Sequence, residues 1–93
     1  AAIERSLMHE KNVREVSVIG IPHDFWGEII VACVVARSNK NVVLLERKLQ
    51  ERCITELANG MRPDRYVWLD SLPKSSTGKV KKNILKKNYL KFF

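Results

Sequence analysis

The chain has 93 residues, 45% of them hydrophobic and 29% charged, with a formal net charge of +7 and a pI near 9.7. That length fits one compact domain, 1–93, with no room for a second, and the apolar content excludes a disordered chain. The positive charge favours an anionic partner, which on charge alone could be nucleic acid, a membrane surface or a phosphate-rich cofactor.

Ala1-Ala2-Ile3-Glu4 opens the chain with neither methionine nor a helix cap, so it reads as a segment of something longer, although Ile3 and Leu7 already show helical spacing. After a turn at Lys11-Asn12, Val16 and Val18 alternate with Glu15 and Ser17, which predicts a half-buried strand over Arg14 to Ile21, ended by Gly20 and Pro22. A loop from Pro22 to Gly27 leads into Glu28 to Ala36. Its run of Ile, Val, Ala and Cys suits a central strand covered on both faces and paired antiparallel to the first. That same stretch holds the longest apolar run, far short of the ~20 residues of a spanning helix, and no signal segment opens the chain, so a cytoplasmic location is expected.

Leu45, Leu49, Cys53 and Leu57 recur every four positions between charged residues, predicting an amphipathic helix that Gly60 stops; the β-branched Val42 and Val43 leave its start open. Pro63-Asp64 marks a turn before a short strand at Tyr66-Val67-Trp68-Leu69. A basic helix should close the chain, with Val80, Ile84 and Leu85 inward and lysines outward. Much of the excess charge lies here, in Lys79, Lys81, Lys82, Lys86, Lys87 and Lys91. The expected fold is α+β: a three-stranded, mainly antiparallel sheet flanked by helices. Cys33 and Cys53 lack the CxxC spacing and neighbouring histidines of a zinc site, which predicts two buried thiols and leaves a single disulfide open; no metal site is expected.

Between the third strand and the last helix stands Ser71-Leu72-Pro73-Lys74-Ser75-Ser76-Thr77-Gly78-Lys79, an exposed loop of hydroxyl residues and glycine ending in one ammonium. Free backbone amides beside a cation suit phosphate. It is not a Walker A loop, since Pro73 stands where GxxxxGK[ST] needs glycine and Val80 where it needs a hydroxyl.

Leu72 to Val80 resembles the closing signature of the adenylate-forming enzymes: acyl- and aryl-CoA synthetases, luciferases and peptide-synthetase adenylation domains. Gly20-Ile21-Pro22, Gly27-Glu28 and Arg62-Pro63 are similar to further elements of that family, in order and spacing, so the resemblance covers roughly residues 3 to 85. It implies the mobile C-terminal lid of an acyl-CoA ligase that uses ATP, with Mg2+ held mainly by the larger N-terminal domain, and CoA or a carrier-protein thiol as acceptor. A carboxylate attacks the α-phosphate to give an acyl-adenylate and pyrophosphate, then the thiol displaces AMP. By motif position, Lys79 is the lysine that reaches the carboxylate and α-phosphate oxygens. The family rotates this domain between the half-reactions. Its hinge residue and the glycine-containing loop after it are not found, so the chain starts downstream of them and is expected to be inactive alone.

The other site residues carry plainer readings beside the functional one. Ser76, Thr77 and Gly78 either contact nucleotide or satisfy and turn the loop; Arg62, Arg65 and Lys74 either meet CoA phosphates or are simply solvated. Gly20, Pro22, Gly27 and Glu28 are expected to set turn geometry. Phe25 and Trp26 fit a core or an interdomain surface, and His9 and His23 are isolated. Two readings of other classes stay open: a small basic nucleic-acid-binding module, which leaves the Pro73–Lys79 loop unexplained, and a catalytically silent relative that binds a protein.

Overall fold

The computed structural model describes residues 2–37 and 41–89; Ala1 and Lys91 lie outside the described residues. In chain order its elements are α1 (Ala2–Met8), β1 (Val13–His23), β2 (Gly27–Ala36), α2 (Val42–Glu56), a single 3-10 turn (Asn59–Met61), β3 (Arg65–Trp68) and α3 (Lys82–Lys87). The strands form one sheet in the order β1-β2-β3, with β2 central as its apolar run predicts.

β1 and β2 form a hairpin with antiparallel partners from Val13↔Ala36 to His23↔Gly27. Gly20 and Pro22 do not end β1, as the sequence suggests; they pair with Ile30 and Glu28, and the strand continues to His23. Proline is tolerated because β1 is an edge strand, where a missing N–H need not break a ladder. At Gly20 a methyl group would meet the Glu28 carboxylate at 2.5 Å, a contact that this exposed, flexible side chain can relieve by moving aside. The turn itself is Asp24-Phe25-Trp26, closed by Gly27 at φ +82°.

β3 runs parallel to β2, with Val31↔Arg65 through Val34↔Trp68, so the sheet is mixed, its long ladder antiparallel and its short one parallel. Parallel neighbours need a crossover, and α2 supplies it. Asn41 caps α2 by accepting from the N–H groups of Val43 (3.0 Å) and Leu44 (3.2 Å), which offsets the weak propensity of the two valines. The helix stops at Glu56, ahead of Gly60, because Leu57 turns to extended backbone and the guanidinium of Arg62 takes up its last carbonyls.

Both sheet faces are covered. Leu7 of α1 and Leu49 and Cys53 of α2 pack on Val13, Ala32 and Val34, while Leu72 and Leu85 pack on Ile19, Val31, Cys33, Val35 and Val67. Ser17, read from its alternation as a solvent-facing position, is buried on that second face, and its Oγ has no partner among the described residues. Each fully buried Val or Leu contributes about 1.5–3 kcal/mol, so the consecutive buried residues Val31 to Val35 form the densest stabilising stretch.

Cys33 and Cys53 belong to the two different cores, one on each side of the sheet, and both are free thiols. Burial pushes Cys33 up to about 11 and raises Cys53 as well. Both thiols should therefore react slowly with an aromatic disulfide reagent at pH 8 in the native protein and rapidly in denaturant. Because the folded state holds the Cys33 proton more tightly than the unfolded chain, with its ordinary value of 9.0, this group should lower stability as pH rises from about 9 to about 11. Urea midpoints across that range check the sign. Leu49→Ala should lose about 2–5 kcal/mol by the same measurement.

Candidate functional site

The segment after β3 is more ordered than its composition suggests. Leu69 N–H continues onto Val34 C=O at 2.9 Å, and Leu72 enters the core. The chain then folds back on itself through an antiparallel bridge between Lys74 and Val80. Ser75 N–H donates to Lys79 C=O (2.8 Å), Gly78 N–H to Ser75 C=O (2.9 Å), and Lys81 N–H to Pro73 C=O (2.8 Å). With Gly78 at φ +85°, this is the pattern of a three-residue hairpin loop ending in the left-handed region.

Side chains stiffen the loop. Ser75 Oγ lies 2.9 Å from Thr77 Oγ1 and accepts from Lys79 N–H at 3.3 Å. Ser76, Thr77, Gly78 and Lys79 are all exposed at the tip. The backbone of Lys79 is thus committed on both sides, whereas its ammonium has no hydrogen-bond or ion-pair partner among the described residues. A cation held on a braced hairpin and left unneutralised is available to an external anion.

The three other predicted cations separate. Lys74 Nζ pairs with the Glu15 carboxylate on β1. Arg62 donates from Nε and Nη2 to Leu57 C=O (3.2 and 3.1 Å), from Nη2 to Ile54 C=O (3.3 Å) and from Nη1 to Asn59 Oδ1 (3.2 Å), which makes it the C-terminal cap of α2. Even so, Arg62 and Arg65 both line an open cleft of about 510 Å³, shared with His23, Trp26, Glu28 and Asp64. The cleft is held at its base by a reciprocal pair, Asp64 N–H to Ile30 C=O and Ile30 N–H to Asp64 Oδ2, each 2.7 Å.

Trp26 and Phe25 stand over this cleft end of the β1–β2 hairpin, 70% and 78% exposed, in a T-shaped pair 4.8 Å apart. They are surface residues and not core. His23 is not isolated either: its Nδ1 accepts from the N–H groups of Phe25 (3.1 Å) and Trp26 (3.0 Å) and shapes the turn that presents them. Sequence reading missed this grouping because its members come from three elements. The nearest signal was an aromatic pair inside a turn, where burial is least expected. No group of three or more His, Cys, Asp or Glu among the described residues could hold a metal ion, and no helix among them is long and apolar enough to cross a membrane.

A mixed three-stranded sheet, helices on both faces and a braced hairpin that exposes Lys79 define a small α+β domain. The chain belongs to the family of AMP-binding enzyme C-terminal domains, whose model matches residues 2–79. Among curated proteins it is 37% identical over 89 residues to a long-chain-fatty-acid–CoA ligase of Mycobacterium tuberculosis, covering 96% of this chain and 17% of that protein. It is 42% identical over 79 residues to a 4-chlorobenzoate–CoA ligase of Pseudomonas, covering 84% and 15%. Among solved structures it superposes on a fatty acyl CoA synthetase of Mycobacterium tuberculosis with a TM-score of 0.84 at 36% identity, covering 95% of this chain and 17% of that one. Apo MatB from Rhodopseudomonas palustris gives 0.87 at 32%, covering 95% and 17%. The chain thus spans about a sixth of the length of the curated relatives it matches.

Arg62→Ala should lower stability by about 1–2 kcal/mol, because the carbonyls at the end of α2 lose their donor. Gly78→Ala should cost about 1 kcal/mol through the positive φ alone. Urea unfolding of the two variants against wild type measures both.

Proposed function

We propose that this chain works as the C-terminal domain of an ATP-dependent acid–thiol ligase, in which Lys79 serves acyl-adenylate formation. The observation that carries this reading is the state of Lys79: its backbone is braced by the hairpin and its ammonium is unpaired among the described residues. The match of the family model up to Lys79 and the naming of its relatives as CoA ligases support it. The nucleic-acid-binding and catalytically silent readings find no support in these relatives.

In this reading a larger N-terminal domain binds the carboxylic acid and ATP with its Mg2+. Carboxylate and triphosphate are both anionic, so their approach is opposed until a cation is placed between them. Lys79 lowers that barrier by stabilising the charge that builds on the α-phosphate oxygens as the carboxylate attacks. Ser76, Thr77 and Gly78, exposed beside it, are the groups positioned to meet the nucleotide. The product acyl-adenylate then needs a thiol and no longer needs the lysine, which is the chemical reason for the domain to rotate between the steps.

The thiol acceptor is CoA or a carrier-protein thiol; the nucleotide end of CoA suits the cleft, where the exposed indole of Trp26 can stack on a base while Arg62 and Arg65 face phosphates. Lys74, paired with Glu15 away from that cleft's lining, is the weakest of the three phosphate candidates.

Pyrophosphate release by the full-length enzyme tests the reading. Lys79→Ala should reduce it by about 10²–10³-fold, the usual effect of removing one transition-state charge donor, while a supplied acyl-adenylate is still converted to thioester. Unchanged pyrophosphate release would remove Lys79 from the reaction.

A further inference from the structure

The ladder between β1 and β2 slips once. Val13 faces Ala36 and Glu15 faces Val35, so Arg14 is an extra residue and the strand bulges there. Strict alternation would send Arg14 and Glu15 to opposite faces; a bulge re-aims side chains, and here both reach the same segment. Arg14 Nη2 donates to Asp70 C=O at 3.1 Å, and the Glu15 carboxylate takes Lys74 Nζ on one oxygen and lies 3.8 Å from Arg14 Nη2 with the other.

Asp70 and Lys74 are the two ends of the leg that enters the Lys79 hairpin. Lys74 is also the residue bridged to Val80, next to Lys79. The leaving leg is tied as well, by Lys82 Nζ to Glu4 Oε2 at 3.0 Å, although Glu4 also accepts from Val18 N–H at 2.8 Å. Partly exposed ion pairs such as these add little to stability. Their effect is geometric: among the described residues, the leg between the Leu69–Val34 bond and the hairpin's own bonds is otherwise anchored by Leu72, and the ion pairs fix it beyond that anchor.

We infer that the Arg14–Glu15 bulge is a positioning device for Lys79, with Glu15 holding Lys74 so that the hairpin tip meets the reacting carboxylate and phosphate in register. This rests on the reading of Lys79 given above. It predicts an effect confined to the half-reaction that uses the lysine, since Glu15 touches no reactant, and it gives Lys74 a role other than contact with CoA.

The test uses the full-length enzyme and measures pyrophosphate release and, separately, conversion of a supplied acyl-adenylate to thioester. Glu15→Lys, which repels Lys74, should slow pyrophosphate release about tenfold or more, since small misplacements of a catalytic group cost up to about a hundredfold. Thioester formation should stay within about twofold. Reversing the pair, Glu15→Lys with Lys74→Glu, should recover pyrophosphate release to within about threefold of wild type. Equal loss in both half-reactions, no loss in Glu15→Lys, or no recovery in the reversed pair overturns the inference. Lys79→Ala measured alongside separates the two readings: if it abolishes adenylation while Glu15→Lys does not, only the positioning role fails.

Discussion

Burial of β2 on both faces is the constraint from which the rest follows. A strand with no polar face must have something apolar laid against each side, and Val31 through Val35 meet that need in two directions at once. α1 and α2 close one side; Leu72, Val80 and Leu85 close the other. The residues on either side of the exposed hairpin are therefore part of the core. The exposed hairpin is thereby anchored to the sheet on both sides, which gives the lysine at its tip a defined position.

Charge is used differently at different places on the surface. At the seam of α1 and α2, Glu56 accepts from Ser6 Oγ at 2.8 Å and from Arg52 at 3.0 Å; the bond from Ser6, with the nearby cation, holds this carboxyl below its ordinary range. Around the hairpin the pairs fall on Lys74 and Lys82, flanking Lys79. With Lys74 and Lys82 paired, Lys79 and Lys81 keep ammonium groups without a partner among the described residues, and the local positive field lies at and beside the tip. This arrangement suits a group that must meet two anions, and composition alone could not distinguish it from a solvated basic tail.

The elements that could be read along the chain were those whose signal is local. The four-residue spacing of Leu45, Leu49 and Cys53, the apolar run of β2, and the Pro-Lys-Ser-Ser-Thr-Gly-Lys motif each report one segment's own periodicity or backbone freedom. Ser17 was misread because alternation reports only which residues share a face; it does not say whether a second layer covers the other face. Gly20 and Pro22 do not end the strand because their effect depends on where it lies in the sheet: at an edge, proline costs no ladder bond, and both residues pair with β2.

The family, the α+β class and the exposed, glycine-containing stretch that carries Lys79 were legible in the chain itself, because motif and burial pattern are properties of short stretches of sequence; that this stretch closes into a hairpin was not. The parallel pairing of β3, the gathering of Trp26, Arg62 and Arg65 around one cleft, the capping role of Arg62 and the bulge that turns Arg14 and Glu15 toward the hairpin were decided only by the tertiary structure. Each brings together residues from different elements of the fold. That is a relation between segments distant in the chain, and no local pattern encodes it.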